Sequence, residues 1–384
     1  QVCYPTFWGG MRPLLVDLSA LIQALGFHSL VASRAVTATA GVLCVPLTFV
    51  CCDELLRREH WLANRRRLTA AVAAVVAPNL LFQLIASRVG YAPILIPLLT
   101  LFAVWQMRRA ERTGRRLGWV LAGLGIGLSQ YVNINGAFVL GTLGLLALLD
   151  LARAPRRQRA GWFGGMALMG AVAVISAAPI LLFFAQQPQW LFARAQAISP
   201  QTNRVRFYLD NAWRIVLSFS VRGDESLRQN VPGRPMLDLL QSLGFWAGAA
   251  WCVWRTRRSP TARDVPVWLA ATALPSLLTA DAPQFERMVG VAAPAAMLAA
   301  IGWSVIWVRL VAWLRQHAPG WAGRAAGLLG AGLAVASALA TAFAFFAVYP
   351  ALPGLAEAFT ATPATVAQQM ITRSASQSVY VERT

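Results

Sequence analysis

The sequence predicts an all-α polytopic membrane protein: a bundle of about ten transmembrane helices, with interfacial helices on its outer face. Three observations carry this. Of 384 residues, 57% are hydrophobic and 13% charged, where a soluble domain carries roughly 25% charge. Apolar stretches that can cross a ~30 Å hydrocarbon core recur along the whole chain. The formal charge of +19 is carried entirely by arginine, and much of it sits in short clusters between those stretches, as in cytoplasmic loops. Strongly basic chains often bind nucleic acid, but not chains this apolar, so no nucleic-acid partner is expected.

Each element follows from its composition. Residues 13–27 are apolar but interrupted by Asp17, Ser19 and Gln23. A helix of that length reaches about 22 Å, short of the core, so it is expected to lie at the membrane surface. Spans are expected at 30–52, 68–86, 92–107, 117–132, 134–150, 160–184, 236–254, 265–280, 288–308 and 325–348. Asn133-Ile134-Asn135-Gly136 separates the fourth from the fifth, because Asn and Gly accept turn geometry. Residues 207–219 place Asp210, Arg214 and Ser218 on one stripe with Asn211 beside it. That spacing predicts a second interfacial helix with an Asp210–Arg214 pair.

The loops orient the bundle. Segments 53–67, 107–117, 150–160, 254–264 and 309–324 carry five, five, four, four and three Arg. All five fall on one side if the spans alternate, and that side is expected to be cytoplasmic. It holds 21 Arg and six acids, Asp53, Glu54, Glu59, Glu111, Asp150 and Asp264, a balance of +15. The remainder, 13 Arg and nine acids, leaves +4 outside. Residues 1–350 then form a transmembrane domain with a long outer loop at 185–235. Residues 351–384 begin an extracytoplasmic C-terminal region. The protein is expected to be a multi-pass plasma-membrane protein with its active face outside.

Cysteine and histidine point to no chemistry. Cys44, Cys51, Cys52 and Cys252 lie in or near spans and Cys3 near the start; neither they nor His28, His60 and His317 have metal-ligand spacing. No metal or cofactor is expected. The outer loops are richer. The long one reads Gln187-Pro188-Gln189-Trp190-Leu191-Phe192-Ala193-Arg194, then the second interfacial helix. It ends in Gly223-Asp224-Glu225-Ser226-Leu227-Arg228-Gln229-Asn230-Val231-Pro232-Gly233-Arg234-Pro235. Asp281-Ala282-Pro283-Gln284-Phe285-Glu286-Arg287 and Ala86-Ser87-Arg88-Val89-Gly90-Tyr91 are the others. Arg34, Arg88, Arg228 and Arg287 at one leaflet boundary suit an anionic headgroup, since guanidinium binds phosphate bidentately and stays charged. Asp224, Glu225, Asn230 and Glu286 are candidates for ordering the loop or for binding sugar or acceptor hydroxyls. Against these stands the plainer role of arginine at a helix end, which commonly reaches to lipid headgroups and does nothing more.

The order of these features resembles the GT-C superfamily of polyprenyl-phosphate-sugar glycosyltransferases, especially bacterial members related to protein O-mannosyltransferases and lipid A aminoarabinose transferases. The stretches that carry the likeness are Pro13 to Arg34, Ala86 to Gly90, Leu121 to Leu128, Gln187 to Arg194, Gly223 to Pro235 and Ala282 to Arg287. The resemblance implies transfer of a sugar from a polyprenyl-phosphate donor to a lipid, glycan or protein acceptor. An acidic general base acts on the acceptor, and Arg residues hold the carrier phosphate. It places the family's main acidic motif upstream of Gln1, so the chain is expected to be a fragment; Asp224 and Glu225 are the catalytic candidates within it. A transporter or flippase, a surface-polysaccharide polymerase or ligase, and a membrane scaffold are the rival readings. A transporter should carry ionisable residues near mid-membrane, and spans such as 160–184 and 325–348 hold none.

Overall fold

The computed structural model describes residues 12–59, 65–190, 205–317 and 321–359. Cys3, Trp8, His60, Arg194 and everything beyond residue 359 lie outside the described residues. The helices are α1 (Leu14–Gln23), α2 (Ser29–Leu56), α3 (Arg66–Val76), α4 (Leu81–Arg88), α5 (Leu95–Thr113), α6 (Arg116–Ser129) and α7 (Gly136–Arg153). They continue with α8 (Arg156–Gln186), α9 (Val205–Ser218), α10 (Leu239–Arg255), α11 (Pro260–Leu277), α12 (Ala292–His317), α13 (Ala322–Phe343) and α14 (Leu355–Ala358). Among the described residues there is no strand.

The chain is a helical multi-pass membrane protein. Each of the ten expected spans coincides with a helix or a helix pair. Five runs are long and apolar enough to cross a membrane on length and composition alone: α2, α7, α8, Val289–His317 and Gly323–Ala351. The span expected at 68–86 is not straight. α3 and α4 meet at a bend of 61° through the short helical turn Ala77–Asn79, where Pro78 lacks an N–H and Leu80 leaves the helical region (φ −80°, ψ 109°). The span at 117–132 yields the fourteen-residue α6, about 21 Å of helix. Both segments expected to lie at the surface are helical, as α1 and α9. The expected Asp210–Arg214 ion pair is not formed, and both side chains are exposed.

Local sequence explains where helices start and bend. His28 accepts from Leu30 N at the start of α2 (3.3 Å). Asp238 caps α10 in a reciprocal box with Gln241 (2.8 and 3.1 Å). Ser259 caps α11, accepting from Ala262 N at 2.9 Å, and Pro260 takes the first turn, where a missing N–H costs nothing.

Small residues set the packing. α10 lies against α12 more extensively than any other helix pair. Gly244 and Gly248 of α10 meet Leu298, Ala299 and Gly302 of α12 so closely that a Cβ at Gly248 or Gly302 would strike backbone. Close backbone approach of this kind is how helices associate in lipid, where burying apolar surface gives little drive. Outward-facing residues such as Ile175, Val253, Leu328 and Phe346 are apolar and exposed, the lipid-facing belt of a membrane bundle.

All six acids of the arginine-rich loops converge at one end of the bundle. Arg108, 1% exposed, donates to both oxygens of Glu111 (2.9 Å each), to Asp264 (2.7 Å) and to Asp150. Arg263 donates to Asp264 (2.6 Å) and Asp150, and Arg58 to Glu111. Arg66 and Arg57 hold Asp53 at 2.6 and 3.0 Å. Arg112 holds Glu54 at 3.0 Å. Glu59 accepts from Ser259 Oγ and from Thr261 N. α2, α3, α5, α7 and α11 are thereby tied together by charge-assisted hydrogen bonds.

Candidate functional site

The opposite end of the bundle is built from loops. α1 enters through Arg12, whose guanidinium donates to the carbonyls of Gln130 (2.7 Å) and Asn133 (2.8 Å) and lies over the Phe184 ring. Leu14 N donates to Tyr131 O at 3.0 Å. The interfacial helix thus rests on the turn between α6 and α7. α9 is fixed by Asn211, which donates to the carbonyls of Leu277 (3.1 Å) and Thr279 (2.9 Å) at the end of α11. Its exposed side carries Leu209 and Trp213.

The centre of this end is Phe285-Glu286-Arg287. The 223–234 loop closes on itself through Gly223 N to Gly233 O (3.0 Å) and Gly233 N to Asp224 O (3.1 Å). Gly233 has φ +72°, a left-handed geometry that favours glycine. Asn230 locks the closure, donating to the carbonyls of Asp224 (3.0 Å) and Arg234 (2.6 Å). Asp224 then reaches across: Oδ2 accepts from Phe285 N (2.7 Å) and Oδ1 from Ser226 N (2.8 Å). Gln229 and Glu286 pair reciprocally. Glu286 N donates to Gln229 Oε1 at 2.9 Å, and Gln229 Nε2 donates to Glu286 Oε2 at 3.0 Å. Phe285, 1% exposed, contacts the Phe82 ring of α4 at 5.2 Å. Asn135 donates to Glu286 O at 3.4 Å. Three segments therefore meet around the Phe285–Arg287 loop, through Phe82, through Asn135 and through the 223–234 loop.

The candidates fall into distinct places. Asp224, Asn230 and Glu286 are brought together at this hub, with half-buried Arg287 the next residue. Burial lifts the Asp224 carboxyl above its ordinary value, against the two N–H donors that pull it down. With both oxygens occupied, Asp224 orders two loops. Glu225 is exposed and pairs with Arg222 at 2.9 Å, apart from the hub's bonds. Arg34 and the Arg88-Val89-Gly90 turn form a neighbouring group: a Cβ at Gly90 would lie 3.1 Å from Ser33 Oγ and 3.7 Å from Arg34 Cγ. Arg34 and Arg88 are exposed, and no carboxylate among the described residues pairs with either. Arg228 donates to Ala358 O, so it clamps the C-terminal turn, where Tyr349 also donates to Leu227 O (2.8 Å).

Phe285, Gln229, Asn135 and Arg12 were not singled out as site residues in the sequence. Asn135 carried a signal, as part of a turn motif, but its partner is 151 residues away and no spacing reports that. The surface at this end offers exposed guanidinium groups, Arg34 and Arg88, beside a hydrogen-bonded polar hub, which suits an anionic headgroup held near the membrane boundary. Among the described residues no group of His, Cys, Asp and Glu is arranged to hold a metal ion.

No protein-family model and no curated protein sequence matches the chain. Solved structures do. The chain is similar to the crystal structure of ArnT from Cupriavidus metallidurans bound to undecaprenyl phosphate, with a TM-score of 0.57 and 12% identity. That match covers 96% of this chain and 70% of the other. The apo state of the same protein matches with a TM-score of 0.53 and 14% identity, over 91% of this chain and 64% of the other. The likeness gives the fold, a helical polytopic bundle.

Proposed function

With that fold as the premise, we propose that the chain is the membrane domain of a glycosyltransferase that takes a sugar from a polyprenyl-phosphate carrier. The supporting observation is the fold match over 96% of the chain to a protein crystallised with undecaprenyl phosphate. In this reading the arginine-rich end faces the cytoplasm and the hub end faces outward, at the plasma membrane. The outer leaflet supplies the carrier and a lipid, glycan or protein supplies the acceptor group.

The residues divide the work. Arg34, Arg88 and Arg287 face the carrier phosphate and stabilise it as the sugar leaves. Asp224, Asn230 and Gln229 hold the Phe285–Arg287 loop so that Arg287 is presented from a fixed backbone. Exposed Glu225 is placed to meet acceptor or sugar hydroxyls, Glu286 is engaged by Gln229 and orders the loop, and Arg228 fixes the C-terminal turn over the loop. The general base is not assigned to Asp224, whose oxygens are already engaged.

The test is sugar transfer from a radiolabelled polyprenyl-phosphate donor in membranes containing the full-length protein. Arg287→Ala is expected to lower transfer by about 10- to 100-fold, the range for a lost charged hydrogen bond, chiefly through weaker carrier binding. Unchanged transfer and unchanged carrier binding would overturn the assignment.

A further inference from the structure

Away from the hub, α3, α10, α12 and α13 enclose a groove of about 400 Å³. Its walls are apolar, with Val72 from α3, Trp303 and Trp307 from α12 and Gly330 from α13. Arg65 stands at one end, directly before Arg66, which bonds Asp53 in the ionic network. That end of the groove therefore opens at the arginine-rich side. The other end is closed by hydrogen bonds: Gln241 donates to Asn79 O (3.2 Å) and to Ser337 Oγ (3.1 Å). Thr341 donates to Asn79 O at 2.9 Å.

Depth and charge define what fits. Between Arg65 and the closed end runs α3, eleven residues or about 16 Å of helix. That is about half of a ~30 Å core, the depth of one leaflet. Arg65 is half-buried, and no carboxylate among the described residues pairs with it, whereas Arg57, Arg58, Arg66, Arg108, Arg112 and Arg263 are all paired. Only 11% of the apolar stretch of the α13 run is buried within the protein, so this wall of the groove faces largely outward and is tied to the bundle at its closed end through Ser337 and Thr341.

We propose that the groove binds one acyl chain of an anionic phospholipid from the leaflet at the arginine-rich end, with Arg65 holding the headgroup phosphate. The chain fills the slot between Trp303, Trp307 and α13, and ends at the Asn79–Gln241–Ser337 closure. The lipid thereby seats α13 on the bundle. Its headgroup end, at Arg65, lies at the opposite end of the bundle from the hub, and the proposal does not depend on the glycosyltransferase reading.

Native mass spectrometry of the delipidated full chain tests this, by titration with dioleoyl phosphatidylglycerol, dioleoyl phosphatidylcholine and undecaprenyl phosphate. Phosphatidylglycerol is expected to bind about fivefold more tightly than phosphatidylcholine, the scale of one basic residue facing an anionic lipid. Arg65→Ala removes that preference, Arg65→Lys keeps it, and Arg115→Ala, exposed at the same end, leaves it intact. Gly330→Leu, which would press on the Trp307 ring 3.0 Å from its Cβ, weakens both phospholipids. Equal binding of the two phospholipids, a preference that survives Arg65→Ala, or one-for-one displacement of phosphatidylglycerol by undecaprenyl phosphate would each overturn the proposal. Arg65→Ala leaves the packed helix faces untouched, so its result stands even where Gly330→Leu fails to fold.

Discussion

The two ends of the bundle use the same residue types for opposite purposes. At the arginine-rich end, all six acids are engaged, and Arg108 is almost fully enclosed by three of them. At the hub end, the carboxylate of Asp224 goes to backbone N–H groups, while Arg34 and Arg88 remain exposed. A buried carboxylate set against arginine fixes helices. A carboxylate set against backbone fixes a loop and leaves guanidinium groups for an anion from outside. The two ends therefore differ in what their carboxylates do: the acids of the more basic end are spent on buried arginines, and the Asp224 carboxylate of the hub end is spent on backbone N–H groups.

The largest effect should come from breaking the matched end. Arg108→Ala leaves Glu111, Asp150 and Asp264 short of their shared cation. Removing one partner of a buried ion pair costs about 3–5 kcal/mol, so thermal unfolding in detergent should drop sharply or folded protein should not be recovered. Arg88→Ala, exposed at the other end, should leave unfolding within about 0.5 kcal/mol of wild type. Equal losses for the two variants would erase the distinction.

Next in size is the hub. Asp224→Asn keeps one acceptor but turns an NH₂ group toward a backbone N–H. About 1–3 kcal/mol of local stability is expected to go. Limited proteolysis should then cut within 223–234 before the helices open. Global unfolding should change less than in Arg108→Ala.

The smallest effect is a pH dependence of the hub. The folded Asp224 carboxyl is raised above its ordinary value of 3.8, chiefly by burial. The folded state therefore keeps the proton to higher pH than the unfolded one. This contribution is fully present below about 3.8 and is lost as pH rises through the raised folded value. Hydrogen exchange of the Phe285 and Ser226 amides should quicken across that window in wild type, with the step absent in Asp224→Asn. A step of opposite sign would mean that the two N–H donors outweigh burial.

Much of the fold was legible because it rests on composition. Apolar length placed the helices, and clusters such as Arg65-Arg66-Arg67 placed the loops. Pro78 marked the break in 68–86 only in hindsight, since Pro46 and Pro179 sit inside continuous helices. The site was legible as residue types near one boundary, not as a geometry. Asp224 meets Phe285 across 61 residues and Asn135 meets Glu286 across 151, separations that no local pattern encodes. The ionic network escaped for the same reason. Glu111, Asp150 and Asp264 each look like loop charges until three helices bring them to Arg108.

The central claim is that the hub end, not the more basic end, receives the polyprenyl phosphate. Binding of undecaprenyl phosphate to the full-length protein and to two variants tests it most directly. The triple substitution Arg34→Ala, Arg88→Ala and Arg287→Ala should weaken binding at least tenfold, on the scale of lost charged hydrogen bonds, while Arg65→Ala binds as wild type does. Carrier binding that survives the triple substitution, or falls with Arg65→Ala instead, would contradict the account.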